Sequence, residues 1–146
     1  MKRHLPLAAL VVLVFAAFCV AQDATPSPSP AAKPKPRMSK AALMKKLSAN
    51  ENALWNAWKN KDAKPFNMWL AVDSVMVGEQ GEVKSFSLSD WKLTMVNADA
   101  AFLTYKGSAD GTCGGQAIPT VWASSLWVNR KGKWQAFSHQ ETPVKP

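Results

Sequence analysis

Two runs of aromatic and β-branched residues, Trp122–Val128 and Trp134–Gln140, flank the polar stretch Asn129-Arg-Lys-Gly-Lys133. Such a pattern predicts a β-hairpin. Gly132 can take the positive φ of a type I turn followed by a one-residue bulge, which would set Asn129 opposite Lys133. Side chains alternate across a strand, so this register sorts every residue of the hairpin. Trp127, Ser125 and Ala123 would share one face with Gln135, Phe137 and His139. Leu126, Ser124 and Trp122 would share the other with Trp134, Ala136, Ser138 and Gln140. Large apolar groups stand on both faces, so neither face is expected to be simply wet.

Upstream, Ser39 can cap a helix running from Ala41 to Asn60. Met44, Leu47, Leu54, Trp55 and Trp58 recur at helical spacing, interrupted only by Glu51, which is expected at the edge of the stripe. Pro65 suits the first turn of a second, short helix over Phe66–Leu70. Val72, Val75, Met76 and Val77 predict a first strand, and Gly78–Gly81 a turn, with Glu82–Lys84 a strand stub. Ser87–Trp91 carries capping chemistry, Ser87 with Asp90, and predicts one or two helical turns. Strands over Lys92–Asn97 and Ala101–Gly107 follow, and a loop over Ser108–Pro119 leads to the hairpin. Helices followed by a run of antiparallel strands define an α+β domain. The Trp-rich helix laid across such a sheet would let it curl into a cone.

Three segments are expected. Residues 1–21 pair a basic start with an uncharged run and end on Cys-Val-Ala, which predicts a signal peptide cleaved after Ala21. An uncleaved anchor is the alternative. Residues 22–40 form a proline-rich basic linker, expected to be an extended tether. Residues 41–146 form the domain. The formal charge of +8 is concentrated in the first two segments, so the domain is only weakly positive and has no basic stripe. Nucleic-acid binding, which needs a concentrated basic face, is excluded. Membrane contact is expected only through an uncleaved signal or the linker. The chain is expected to be exported, periplasmic or secreted. Beyond Ala21 only Cys113 remains, so no internal disulfide is expected.

The pattern Asn56-Ala-Trp58 with Asp62, the strand Ala100-Ala-Phe-Leu-Thr-Tyr-Lys106, and Ser124–Trp134 continuing through His139-Gln-Glu-Thr-Pro143 resemble the nuclear transport factor 2-like superfamily. This is the cone-shaped α+β fold shared with ketosteroid isomerases and polyketide cyclases, and the resemblance is to its small exported bacterial members. It covers roughly Leu43 to Val144. It implies a pocket between the helices and the concave sheet face, and a homodimer. No residue matches the catalytic motif of the isomerases, so no role is carried over.

Among groups expected near an interior, His139 is the first candidate. Imidazole exchanges protons near neutral pH and can act as general base. A histidine satisfied by an internal partner is the bland alternative. Tyr105 could polarise a carbonyl, and Asp73 could orient His139 or act as a base. Trp55, Trp58, Trp69, Trp91, Ser125 and Phe137 are the candidate pocket walls. Asp90 is expected as the capping acid, and Glu141 at the exposed end of the last strand. No Gly-x-Ser-x-Gly elbow is present, no cluster has metal-ligand spacing, and no phosphate loop occurs. No cofactor or metal is expected. Three functions remain open: a binder of a small apolar or aromatic molecule, an isomerase, dehydratase or cyclase using His139, and an assembly module with Trp127 or Trp134 on its interface.

Overall fold

The computed structural model describes residues 37–78 and 81–145. The expected signal peptide, all but the end of the expected linker, and the middle of the Gly78–Gly81 turn lie outside these residues. Helix α1 spans Lys40–Asn60 and α2 Ala63–Trp69. Six strands follow: β1 Leu70–Val77, β2 Glu82–Asn97, β3 Ala100–Cys113, β4 Gln116–Ala117, β5 Val121–Arg130 and β6 Lys133–Pro143. They form one curled sheet in the order β1-β6-β5-β3-β2, with β4 on β3, and the sheet does not close.

Ser39 caps α1 by accepting from the Ala42 amide at 3.2 Å. At the other end Lys61 takes a left-handed conformation and satisfies the Ala57 and Trp58 carbonyls. Asp62 then caps α2 by accepting from Lys64 N at 3.0 Å. The buried stripe of α1 is Leu43, Leu47, Asn50, Glu51, Leu54 and Trp55. It lies on β2 and β3 and against α2, which in turn reaches β6. Between helix and sheet the core gathers Leu93, Leu103, Tyr105, Trp127, Trp134 and Ala136. Glu51 is thus not at the edge of the stripe. It is only 1 % exposed, because the sheet brings two hydrogen-bond donors to it.

Several local expectations give way to sheet pairing. Ser87–Trp91 is not helical; β2 runs through it, with a bulge between Ser89 and Lys92 in which Asp90 adopts φ 54°. Cross-strand bonds to β3 along the whole of β2 outweigh what a short capped helix could gain. The expected loop from Ser108 is strand as far as Cys113, and the chain turns at Gly114–Gly115. Strand β1 pairs with β6 in parallel, not antiparallel, so the sheet is mixed. Cys113 is free and partly buried.

The hairpin differs in register. Arg130 faces Lys133, and Lys131 and Gly132 both have positive φ, at 57° and 88°. This is the two-residue turn whose twist matches that of the strands. It is one residue tighter than the expected turn, so Trp127 pairs with Ala136 and faces inward with Trp134. Phe137 is then an extra residue on β6, left without a partner between Leu126/Ser138 and Trp127/Ala136. The bulge restores the phase beyond it, and Ser125 stands opposite His139. Trp127 and Trp134 are both buried in the core, so neither is available to an outer interface. The outer face instead shows Phe102, cross-strand from Leu126, and Trp122.

Gly111 marks the closest backbone approach. A Cβ there would fall 2.0 Å from the Glu82 carbonyl oxygen on β2. Gly111→Ala must push β2 and β3 apart at this point. The expected loss is about 2 kcal/mol of stability, read from the urea midpoint of the two proteins.

Candidate functional site

A cavity of about 310 Å³ opens between the helices and the β1-β6-β5 side of the sheet. From α1 come Glu51, Leu54, Trp55 and Trp58; from α2, Phe66; from β1 and its end, Leu70, Met76 and Gly78; from β5, Ser125; and from β6, Ala136, His139 and Glu141. Each polar residue arrives for a local reason. Glu51, Trp55 and Trp58 follow one another at helical spacing, so they project along one side of α1. Beyond the Phe137 bulge, alternation sends His139 and Glu141 inward together, and it points Ser125 at His139 from the neighbouring strand.

Two hydrogen-bonded groups border the space. On the sheet wall, Ser125 Oγ lies 2.9 Å from His139 Nδ1, and His139 Nε2 lies 3.2 Å from Glu141 Oε1. The side chains of His139 and Glu141 are 17 % and 6 % exposed, so Glu141 is not at an exposed strand end. Beneath the helix, Tyr105 Oη donates to Glu51 Oε2 at 3.0 Å, and Trp127 Nε1 donates to Glu51 Oε1 at 2.9 Å. Trp55 Nε1 completes the chain by donating to the Tyr105 oxygen at 2.9 Å. Every one of these buried polar groups therefore has a partner, as burial requires. Burial, and then the Glu51 carboxylate beside it, holds the Tyr105 phenol well above its ordinary pKa.

The expected site residues divide. His139, Ser125, Trp55 and Trp58 come together around the cavity. Tyr105 lies behind the wall, fully buried, with Trp91 packed against it, the ring centres 4.5 Å apart and the planes tilted by 35°. Trp91 and Trp69 pack against the core rather than lining the space. Phe137 is turned away by its own bulge and sits under the Arg130 guanidinium, 5.5 Å from the ring centre. Asp73 is also outside. It holds Arg130 through two bonds of 2.6 and 2.9 Å, and this contact lowers its pKa. Asp73 therefore does not reach His139, whose acid partner is Glu141. Glu51 and Glu141 are the residues that sequence reasoning placed at edges. The signal for Glu51 was its place in the middle of an apolar stripe, and for Glu141 its separation of two from His139, which puts both on one face.

The arrangement is not that of a serine nucleophile. Ser125 is buried in the middle of a strand with no strained turn to present it. It can bind a polar group, or hold and accept a proton at His139. Among the described residues no three His, Cys, Asp or Glu side chains gather as a metal centre would need.

A helix roofing a curled sheet around such a cavity is the nuclear transport factor 2-like fold, and this chain has that fold. It is similar to a nuclear transport factor 2-like protein from Cytophaga hutchinsonii, with a TM-score of 0.62 over 73 % of this chain and 100 % of that one, at 14 % identity. A protein of the same fold from Rhodospirillum rubrum, of unknown function in nutrient uptake, matches with a TM-score of 0.60 over 68 % and 98 %, at 17 % identity. The calmodulin-dependent kinase II hub homology domain of Chlamydomonas reinhardtii matches at 0.58 over 74 % and 100 %, at 12 % identity. No protein-family model matches the sequence, and no curated protein does.

Proposed function

We propose that this is an exported protein that binds a small, largely apolar molecule in the cavity beneath α1. One observation carries the reading: a space of about 310 Å³ with aromatic and aliphatic walls and a few polar side chains on its sheet side. Binding sites have this composition, with apolar walls for burial and few polar groups for orientation. The lower end of the usual size range suits a compact ligand. Trp55 and Trp58 supply the readout, because an occupant changes their surroundings directly. Protein purified from its host is expected to retain a small molecule in native mass spectrometry. Adding that molecule back to stripped protein should change tryptophan emission in a saturable way. Absence of any retained mass, together with no saturable response to a broad panel of apolar compounds, would remove the reading. Self-association through Phe102 and Trp122 on the outer face accompanies it. Similarity to a hub domain supports that assignment, and a dimer mass in sedimentation checks it.

The contact between His139 and Glu141 favours a second reading, an isomerase, dehydratase or cyclase type of enzyme. A carboxylate on one ring nitrogen orients the imidazole, leaving the other nitrogen to exchange a proton through Ser125 or a bound substrate. His139→Ala is then expected to bind the compound and fail to turn it over, which calorimetry and product analysis on the same sample distinguish.

A further inference from the structure

The ligand chemistry can be narrowed by matching donors and acceptors around the cavity, an argument that rests on the binding reading above. Trp55 and Trp58 both line the space, with ring centres 5.3 Å apart and planes tilted by 57°. Neither offers its N–H to a ligand. Trp55 Nε1 is committed to Tyr105, and Trp58 Nε1 donates to the Gly81 carbonyl at 2.9 Å. What the space meets is therefore indole carbon, together with Phe66. The ionisable lining residues are Glu51, Glu141 and His139, and among the described lining residues none is Lys or Arg. This runs against the balance of the chain, whose formal charge is +8. The positive side chains lie elsewhere, as with Arg130, whose guanidinium is held outside by Asp73 and Phe137.

Aromatic faces attract cations through their negative π-surface, and the attraction grows when water is excluded. Carboxylates at the border of the same low-dielectric space add to it, whereas an anion brought there would meet like charge. The Ser125–His139 pair meets its own needs, so the remaining capacity is for accepting hydrogen bonds. An ammonium group donates and carries the matching charge. We infer that the cavity takes a small organic cation: an aromatic or aliphatic amine whose apolar body lies against Trp55, Trp58 and Phe66 and whose ammonium group faces Glu51 and Glu141.

Three probes with one phenylethyl body and different heads test this on the full mature chain: 2-phenylethylamine, 2-phenylethanol and 3-phenylpropanoate. Titration at neutral pH by calorimetry and tryptophan emission is expected to rank the amine at least tenfold tighter than the alcohol, with the carboxylate weakest. Equal or tighter binding of the alcohol or the carboxylate overturns the cation assignment while leaving a binding cavity in place. Saturable binding of none of the three overturns both. Glu141→Gln, checked for native circular dichroism, is expected to bring the amine-to-alcohol ratio below about threefold with little change for the alcohol. An unchanged ratio in the folded variant rejects the proposed placement of the charge. The wild-type ranking does not depend on that variant folding.

Discussion

Replacing Tyr105 and Trp127 together by phenylalanine is expected to lower the unfolding free energy by about 3–5 kcal/mol, much of the stability a domain of this size holds. Both donors to Glu51 disappear, and its carboxylate remains under α1 without the bonds that offset its desolvation. Tyr105→Phe also leaves the Trp55 N–H without its acceptor, and Trp127→Phe opens space in a fully buried position. Each single change should cost about 1.5–3 kcal/mol, the range for a hydrogen bond to a charged group. The two should not simply add, because both act on one carboxylate. Adding Glu51→Leu to the double variant removes the stranded charge and is expected to recover more than 1 kcal/mol. Replacing a whole buried polar cluster is far less costly than breaking one. Urea unfolding followed by circular dichroism measures all of these. A double variant as stable as the wild type would mean that Glu51 finds solvent without its donors.

The second large effect is alkaline. The Tyr105 phenol is held well above its ordinary value of 10.0 by burial and by Glu51. Its folded pKa is raised, so the stability it contributes is fully present below about pH 10, where the unfolded chain still keeps the proton. That stability is lost as pH rises from there towards the folded pKa. In this window the unfolded state releases a proton that the folded state retains, and stability falls by about 1.4 kcal/mol per pH unit. Other groups titrate in the same range, so the comparison is with Tyr105→Phe. The difference in unfolding free energy between the two proteins should be constant from pH 7 to 9 and shrink steadily above pH 10. A difference that stays flat to pH 11.5 would show that the phenol titrates alike in both states.

Much of the scaffold was legible because it is local. Ser39 before an apolar stripe defines the start of α1, and Lys131-Gly132 between two aromatic runs defines a hairpin. Even the shared face of Ser125 and His139 could be anticipated, though not their pairing, because the expected turn sets His139 opposite Ala123. The turn is one residue tighter than expected and the bulge at Phe137 shifts the register by one more, so the partner of His139 moves two residues, to Ser125, and its face is kept. Between turn and bulge the phase is reversed, which is why Trp134 and Ala136 join Trp127 on the inner face and Phe137, expected beside Trp127, points away. Alternation carries the face of a side chain along a strand, but a single inserted residue resets it, and nothing in Ala136-Phe-Ser138 marks that insertion.

By itself, the order of residues determined which segments are helical or extended in outline, the α+β class, the capped helix and its aromatic stripe, and the face that the histidine shares with Ser125. Tertiary structure alone decided that β1 returns parallel to β6, that Ser87–Trp91 is strand, and that Glu51 is buried. The donors that make a carboxylate tolerable there, Tyr105 and Trp127, lie 54 and 76 positions further along the chain. Burial of a charge depends on the partners that surround it, and those partners are assembled only when the sheet curls beneath the helix.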